Sequence, residues 1–325
     1  MKIFVIIPYF GKFNNYFQLW LASCGKNPNY DWLLFTDNRK PDILPENVHY
    51  IFTSFDDLKR KFESKFRYKI CLDKPYKLCD YKPYYGYLFE EYLTDCDFWG
   101  YCDCDLIFGN LSKVITPDVL QFDKIFRTGH FSLIRNNKNI NNLFLKYDTY
   151  KIVTTSPAIY GYDESVNGYH KGFAGELIEN GYSLLDSSEG IADIDFRHFP
   201  FYVVSDQTKV PCIFIYHDGT LLQTIKKGAE ITKREVMYVH LQKRKMINNV
   251  CSESEYMIYP NKFTSYDPDK LNDQNFWNEI SSELEGYFEP RKEIHYERKR
   301  NLIRLLHEPD KIGSILYRIK GHQNS

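Results

Sequence analysis

The chain has 325 residues, 43% of them hydrophobic, which suffices for one large α/β domain with additions or two smaller ones and is too many for a disordered chain. A formal net charge of -1 argues against wholesale nucleic-acid binding. Eight scattered cysteines, without a C-x-x-C pair or zinc-like spacing, are expected to be reduced core thiols of a cytoplasmic protein.

Met1-Lys2 leads straight into a short apolar strand rather than a signal sequence, and no apolar run reaches the ~18 residues of a membrane span. Lys2 to Pro8 (KIFVIIP) has the continuous β-branched pattern of a central parallel strand. Asn14 or Asn15 is expected to cap the helix that follows, with Phe17, Leu21 and Cys24 on one side. Tyr30 to Phe35 is the second strand, with Asp37 at its carboxyl end, where open α/β sheets collect ligands. Val48 to Phe52 gives a third strand and Phe55 to Phe66 a charged helix. Lys77, Asp80 and Lys82 then stand just ahead of a helix expected to carry Pro83 in its first turn. The stripe Tyr84, Tyr85, Leu88, Phe89 and Tyr92 in that helix reads as core.

Asp97 to Leu111 (DFWGYCDCDLIFGNL) is an apolar strand that ends in two carboxylates spaced i, i+2 and turns at Gly109. In extended chain Asp103 and Asp105 point the same way, as two oxygen donors for one hard divalent cation must, while Cys104 points to the opposite layer. Here the sequence resembles the metal-dependent glycosyltransferases of the GT-A fold, whose Asp-x-Asp motif follows a mid-domain strand and binds Mn2+ or Mg2+ against a nucleotide-sugar diphosphate. The resemblance implies a Rossmann-like α/β domain with a mostly parallel central sheet flanked by helices. It also implies that Tyr9, Phe10 and Asp37 border the nucleoside. The segment Lys77-x-x-Asp80-x-Lys82 is similar to a basic-acidic segment of several such families, where it holds donor sugar and phosphate. The chemistry is sensible, because a cation neutralises phosphate and a carboxylate accepts two sugar hydroxyls.

Lys124 to Arg135 reads as one strand followed by a turn, and Gly129-His130-Phe131-Ser132 resembles an element of a group of bacterial transferase-like proteins found with polysaccharide-building enzymes. That likeness spans roughly residues 2 to 245 and suggests His130 as an acceptor contact. Tyr162-Asp163-Glu164 looks like the acidic element that many GT-A enzymes place beside the acceptor hydroxyl, so Asp163 and Glu164 are the candidate general-base or acceptor-binding residues. Phe201 to Val204 and Cys212 to Tyr216 read as late strands, and Val236 to His240 as the last one. His240 at its end is a suitable third ligand for Mn2+, and the cluster Lys243-Arg244-Lys245 is placed to grip the diphosphate. Glycogenin-like retaining transferases use a late His and nearby Lys this way, which favours retention, although their glycine-containing spacer is absent here.

The expected domain organisation is a catalytic domain over 1–264, packing helices over 265–290 and a basic amphipathic helical tail over 291–325. That tail, with nine Lys/Arg against four Asp/Glu, suits reversible docking to an anionic membrane surface on the cytoplasmic side. The expected function is transfer of a hexose from a nucleotide-sugar donor, a UDP-sugar by preference, to a saccharide or lipid-linked saccharide acceptor in surface polysaccharide biosynthesis. Two alternatives remain at this point. A non-catalytic saccharide-binding protein has no need of Asp103 and Asp105 with a cation. A sugar nucleotidyltransferase should carry a glycine-rich phosphate loop after strand one, where Pro8-Tyr9-Phe10-Gly11-Lys12 has one glycine.

Overall fold

The structure, a computed structural model, describes residues 1–164, 172–242 and 244–288. Lys243 and the basic tail 291–325, with its expected helices, lie outside the described residues. The strands are β1 (Ile3–Pro8), β2 (Tyr30–Thr36), β3 (Val48–Phe52), β4 (Phe98–Cys102), β5 (Leu106–Phe108), β6 (Lys124–Ile125), β7 (Phe131–Arg135) and β8 (Leu184–Leu185). They continue with β9 (Ile191–Asp193), β10 (Cys212–His217), β11 (Thr220–Lys227), β12 (Glu230–Glu235), β13 (Tyr238–His240), β14 (Ile247–Asn249), β15 (Glu255–Tyr259) and β16 (Lys262–Ser265). The helices are α1 (Phe17–Gly25), α2 (Phe55–Lys65), α3 (Tyr85–Leu88), α4 (Lys138–Asn141), α5 (Thr149–Thr155), α6 (Gly172–Glu179), α7 (Asp269–Asn272) and α8 (Gln274–Ser281).

Two compact units share the chain, and the first is built from Met1–Phe52, Asp95–Arg135 and Ser183–Phe288. Its central sheet has the order β3-β2-β1-β4-β7-β6-β8. Strands β3, β2, β1 and β4 run parallel, and β7 lies antiparallel to β4 and β6. The α/β class and the mostly parallel central sheet expected from the sequence are therefore present. Apolar runs such as IFVIIP and FWGYC fit there because a central strand is covered on both faces. Ile3, Val5 and Ile7, alternate residues of β1, pack with Phe17, Trp20, Leu21 and Cys24 of α1.

The same unit holds two smaller sheets, β5-β13-β9 and β12-β11-β10-β15-β16-β14. Strands therefore continue well past His240, contrary to the sequence expectation. The reason lies in composition: β14 (INN) is a short polar edge strand and β16 (KFTS) a short, partly polar one, and such strands read as loops. Residues 265–288 supply α7 and α8, whose Leu271, Phe276, Trp277 and Ile280 pack on Ile213, Ile215, Met257 and Tyr259 within the same unit. Lys124 to Arg135 is two strands rather than one, because Phe126 adopts a positive φ of 63° and the chain turns back.

The second unit contains Thr53–Thr94 and Asn136–Tyr182. Helix α2 starts at Ser54, whose hydroxyl accepts the Asp57 N–H. Pro75–Tyr84 winds as a 3-10 helix with Pro75 at its start, so Pro83 falls inside it rather than opening α3. Many of the chain's tyrosines are packed here: Tyr84 lies 4.6 Å from Phe144 and 5.6 Å from Tyr162 between ring centroids, and Tyr81 lies 5.7 Å from Phe62. The stripe Tyr84, Tyr85, Leu88 and Phe89 is buried, as core. Among the described residues no helix is long and apolar enough to cross a membrane.

Candidate metal centre

Strand β4 lies between β1 and β7, and its register with β1 pairs Ile6 with Tyr101. The chain thus leaves the sheet side by side after Pro8 and after Cys102. This is the point where the strand order 3-2-1 reverses to 4, the crevice that open α/β sheets use for ligands. Three separate segments pin the acidic turn. The Asp103 N–H donates to the His130 carbonyl at 3.0 Å, the Asn14 side-chain amide donates to the Cys104 carbonyl at 2.8 Å, and the Leu241 N–H donates to the Asp105 carbonyl at 3.0 Å. Cys104 is buried in the core cluster that also holds Phe17 and Trp20, whereas Asp103 and Asp105 are only partly buried; the three residues form a bend between β4 and β5 rather than the extended chain expected. Asn14 was expected to cap α1; the N-cap is Tyr16, without a side-chain cap bond, and Asn14 reaches the acidic turn instead.

The three-stranded sheet brings in the imidazole. In it β13 pairs with β5 so that His240 lies opposite Leu106, and with β9 so that His240 lies opposite Asp193. His240 Nδ1 is 2.7 Å from Asp193 Oδ1, and Nε2 is 3.5 Å from Asp105 Oδ1. One donor atom from each of Asp103, Asp105 and His240 lies within 4.8 Å of the others. Burial by itself would lower the pKa of His240, but Asp105 and Asp193 outweigh it and push the value up to about 10. Without a cation, His240 is thus an imidazolium set between two carboxylates. Burial pushes the Asp193 carboxyl up, yet hydrogen bonds and charge from His240, the charge of His130 and a hydrogen bond from Gln242 hold it below its usual value. Two carboxylates and one imidazole form a donor set that suits Mn2+ or Mg2+, whose remaining positions are filled by water or phosphate oxygen.

The other expected residues are distributed as follows. Tyr9 and Phe10 follow β1 in the first unit; Tyr9 is half-buried and stacked on Phe13 at 5.1 Å, and Phe10 is buried. Burial, Cys104 and the Asp105 charge push the Tyr9 phenol up to about 12. Asp37 is exposed at the end of β2, beside Asn38, whose amide donates to the Gly11 carbonyl at 2.7 Å. His130 is buried, with its ring 4.3 Å from that of His240. Arg244, read as part of a diphosphate grip, is also buried and donates to the carbonyls of Asp195, His198, Phe199 and Pro200.

In the second unit Lys77 and Asp80 are 1% and 0% exposed. Lys77 Nζ lies 2.7 Å from Asp80 Oδ2 and donates to the Ala158 carbonyl. Asp80 accepts the N–H groups of Tyr160 and Tyr162. The pair thereby holds the segment from 158 to 162, and the next residue, Asp163, lies 3.6 Å from Lys82 Nζ. Glu164 is exposed. Asp193 and Gln242 are the residues that sequence reasoning missed at the metal centre. Only a short Ile-Ala-Asp alternation hinted at β9, and nothing in the sequence links it to a histidine 47 residues away.

Solved structures similar to the chain include galactosyltransferase LgtC in complex with donor and acceptor sugar analogs, at 11% identity over 59% of this chain and 76% of that one, with a TM-score of 0.35. Another is the apo-form glycosyltransferase GlyE of Streptococcus pneumoniae TIGR4, at 13% identity over 59% of this chain and 46% of that one, with a TM-score of 0.31. These are loose likenesses. No curated protein matches the chain in sequence. The chain belongs to DUF6625, described as a family of unknown function, whose sequence model matches residues 5–267.

Proposed function

We propose that the chain is a cation-dependent glycosyltransferase that moves a hexose from a nucleotide donor, a UDP-sugar by preference, to a saccharide or lipid-linked saccharide in the building of surface polysaccharide. One observation carries this reading: Asp103, Asp105 and His240 converge at the carboxyl end of β4, where the strand order reverses. A divalent cation, Mn2+ or Mg2+, supplies Lewis-acid stabilisation of the departing diphosphate when bound, an effect worth several kcal/mol. Asp103 and Asp105 bring two negative charges to the cation, and His240 offers Nε2 once its proton leaves. Because the main chain of the turn is held at each of its three residues, these groups need little reorganisation on binding. Tyr9, Phe10 and Asp37, at the ends of the neighbouring strands β1 and β2, are the proposed border of the nucleoside. In the second unit, Lys82, Asp163 and Glu164 are the charges proposed to bind donor sugar and acceptor, with Lys77 and Asp80 holding the segment 158–162 that leads to Asp163. The late position of His240 favours retention of configuration, and the basic tail favours an acceptor at an anionic membrane surface.

The test is a panel of nucleotide sugars incubated with the full chain and Mn2+ or Mg2+, with released nucleoside diphosphate as the readout. Release should require the cation and should be abolished in Asp103→Asn and Asp105→Asn while both variants keep cooperative melting. Donor binding without cation-stimulated release from any donor, with or without saccharide acceptors, would instead point to a saccharide-binding protein. Release of pyrophosphate from a nucleoside triphosphate and a sugar phosphate would point to a nucleotidyltransferase.

A further inference from the structure

We infer that Asp193 is the positioning residue of the metal centre: it fixes one tautomer and one ring orientation of His240, so that Nδ1 is committed to Asp193 and Nε2 is delivered to the cation. This rests on the reading of Asp103, Asp105 and His240 as cation ligands. Parallel pairing of β9 with β13 sets Asp193 directly beside His240, on the same face of the small sheet. The carboxylate does not depend on that one bond for its place. Gln242, just past β13 with a left-handed φ of 50°, donates from Nε2 to the same Asp193 Oδ1 at 2.7 Å. The His130 ring, 4.3 Å from the His240 ring and inclined by 32°, covers one side of the imidazole. Held on an edge and on a face, the ring has one low-energy orientation, with Nε2 facing Asp105 at 3.5 Å.

The chemistry needs this arrangement. A neutral imidazole carries its proton on either nitrogen, and only the form protonated at Nδ1 presents a lone pair at Nε2. A carboxylate at Nδ1 selects that form and raises the basicity of the opposite nitrogen, the relation found around many metal-bound histidines. An asparagine at 193 keeps the size of the side chain but loses the charge, and its amide can turn a donor toward Nδ1, which favours the other tautomer.

Mn2+ binding to the full chain, followed by the loss of free-ion electron paramagnetic resonance signal, tests the inference in wild type, Asp193→Asn, Gln242→Ala, Asp103→Asn and His130→Phe. The Asp193→Asn variant should bind about 10–100-fold more weakly, and Gln242→Ala should lose less in the same direction. With Mg2+ bound, the long-range 1H–15N spectrum should show the His240 ring protonated at Nδ1 in wild type and should lose that pure signature in Asp193→Asn. A purely structural role for Asp193 would leave this spectrum unchanged. If Asp193→Asn does not fold, Gln242→Ala decides by the same two measurements. Mn2+ affinity and His240 spectrum both equal to wild type in Asp193→Asn, or in Gln242→Ala where only that variant folds, would overturn the inference while leaving the metal centre intact. Equal losses in Asp193→Asn and His130→Phe with none in Asp103→Asn would also overturn it, by making Asp193 a direct ligand in a set with His130 and His240. A wild-type chain that binds neither Mn2+ nor Mg2+ overturns the underlying reading itself.

Discussion

Two carboxylates, one half-buried and one buried, shift in opposite directions because their neighbours differ. Asp193 is held ionised by His240 and Gln242. Glu176, 4% exposed on α6, is pushed up to about 7, chiefly by burial, against a hydrogen bond from Tyr162 and with help from the Glu179 charge. Its Oε2 has no hydrogen-bond partner among the described residues. The folded chain therefore keeps a proton here that the unfolded chain releases near 4.5, and stability falls as pH rises from about 4.5 to about 7. The loss at pH 8 is on the order of 3 kcal/mol. Glu176→Gln, which cannot ionise, should be more stable than the parent at pH 8 and should flatten the difference in urea midpoint between pH 5 and pH 8; an unchanged difference would contradict this. At this scale the sequence discloses groups whose partners are close along the chain. Asp103 and Asp105 stood out because they follow an apolar strand at i, i+2 spacing, although the chain bends there instead of continuing as strand. Asp193 did not, and Arg244 was misread, because a basic residue after a strand looks the same whether it meets phosphate or a ring of main-chain carbonyls.

The elements tell a parallel story, centred on β4. Gly100 sits in the middle of that strand, where a Cβ would fall well inside contact distance of the Ser132 carbonyl on β7 and 2.6 Å from a methyl of Leu133. The obstacle is main chain, so neither strand can yield without disturbing the ladder that carries Asp103. Gly100→Ala should destabilise the protein by about 1–3 kcal/mol, seen as a lower urea midpoint with an unchanged slope. A midpoint equal to the parent's would show that β7 moves freely. Central strands β1, β2 and β4 were legible because burial on both faces leaves continuous apolar runs. Strands β11, β12 and β14 were not: they alternate weakly, carry lysines and asparagines, and owe their structure to pairing, β11 with β10, β12 with β11 and β14 with β16, rather than to their own pattern.

For the whole molecule, the chain visits the first unit three times, and the proposed ligands arrive on different visits. Asp103 and Asp105 come on the second, and His240, with the Asp193 that positions it, on the third. A cation bound by such a set stabilises only the folded state. Mn2+ at 100 times its dissociation constant should add about 2.7 kcal/mol and raise the melting temperature of wild type, while Asp103→Asn and Asp105→Asn should not respond. An equal rise in all three proteins would place the ion elsewhere. The β5-β13-β9 sheet joins Leu106 to His240, so its formation closes one of the longest loops in the chain. Contacts of that kind cost loop entropy before they are rewarded, and we expect this one to be completed after the folding barrier. Loading with cation should accordingly act on kinetic persistence: the unfolding limb of a denaturant-jump experiment slows with Mn2+, and the refolding limb keeps its rate.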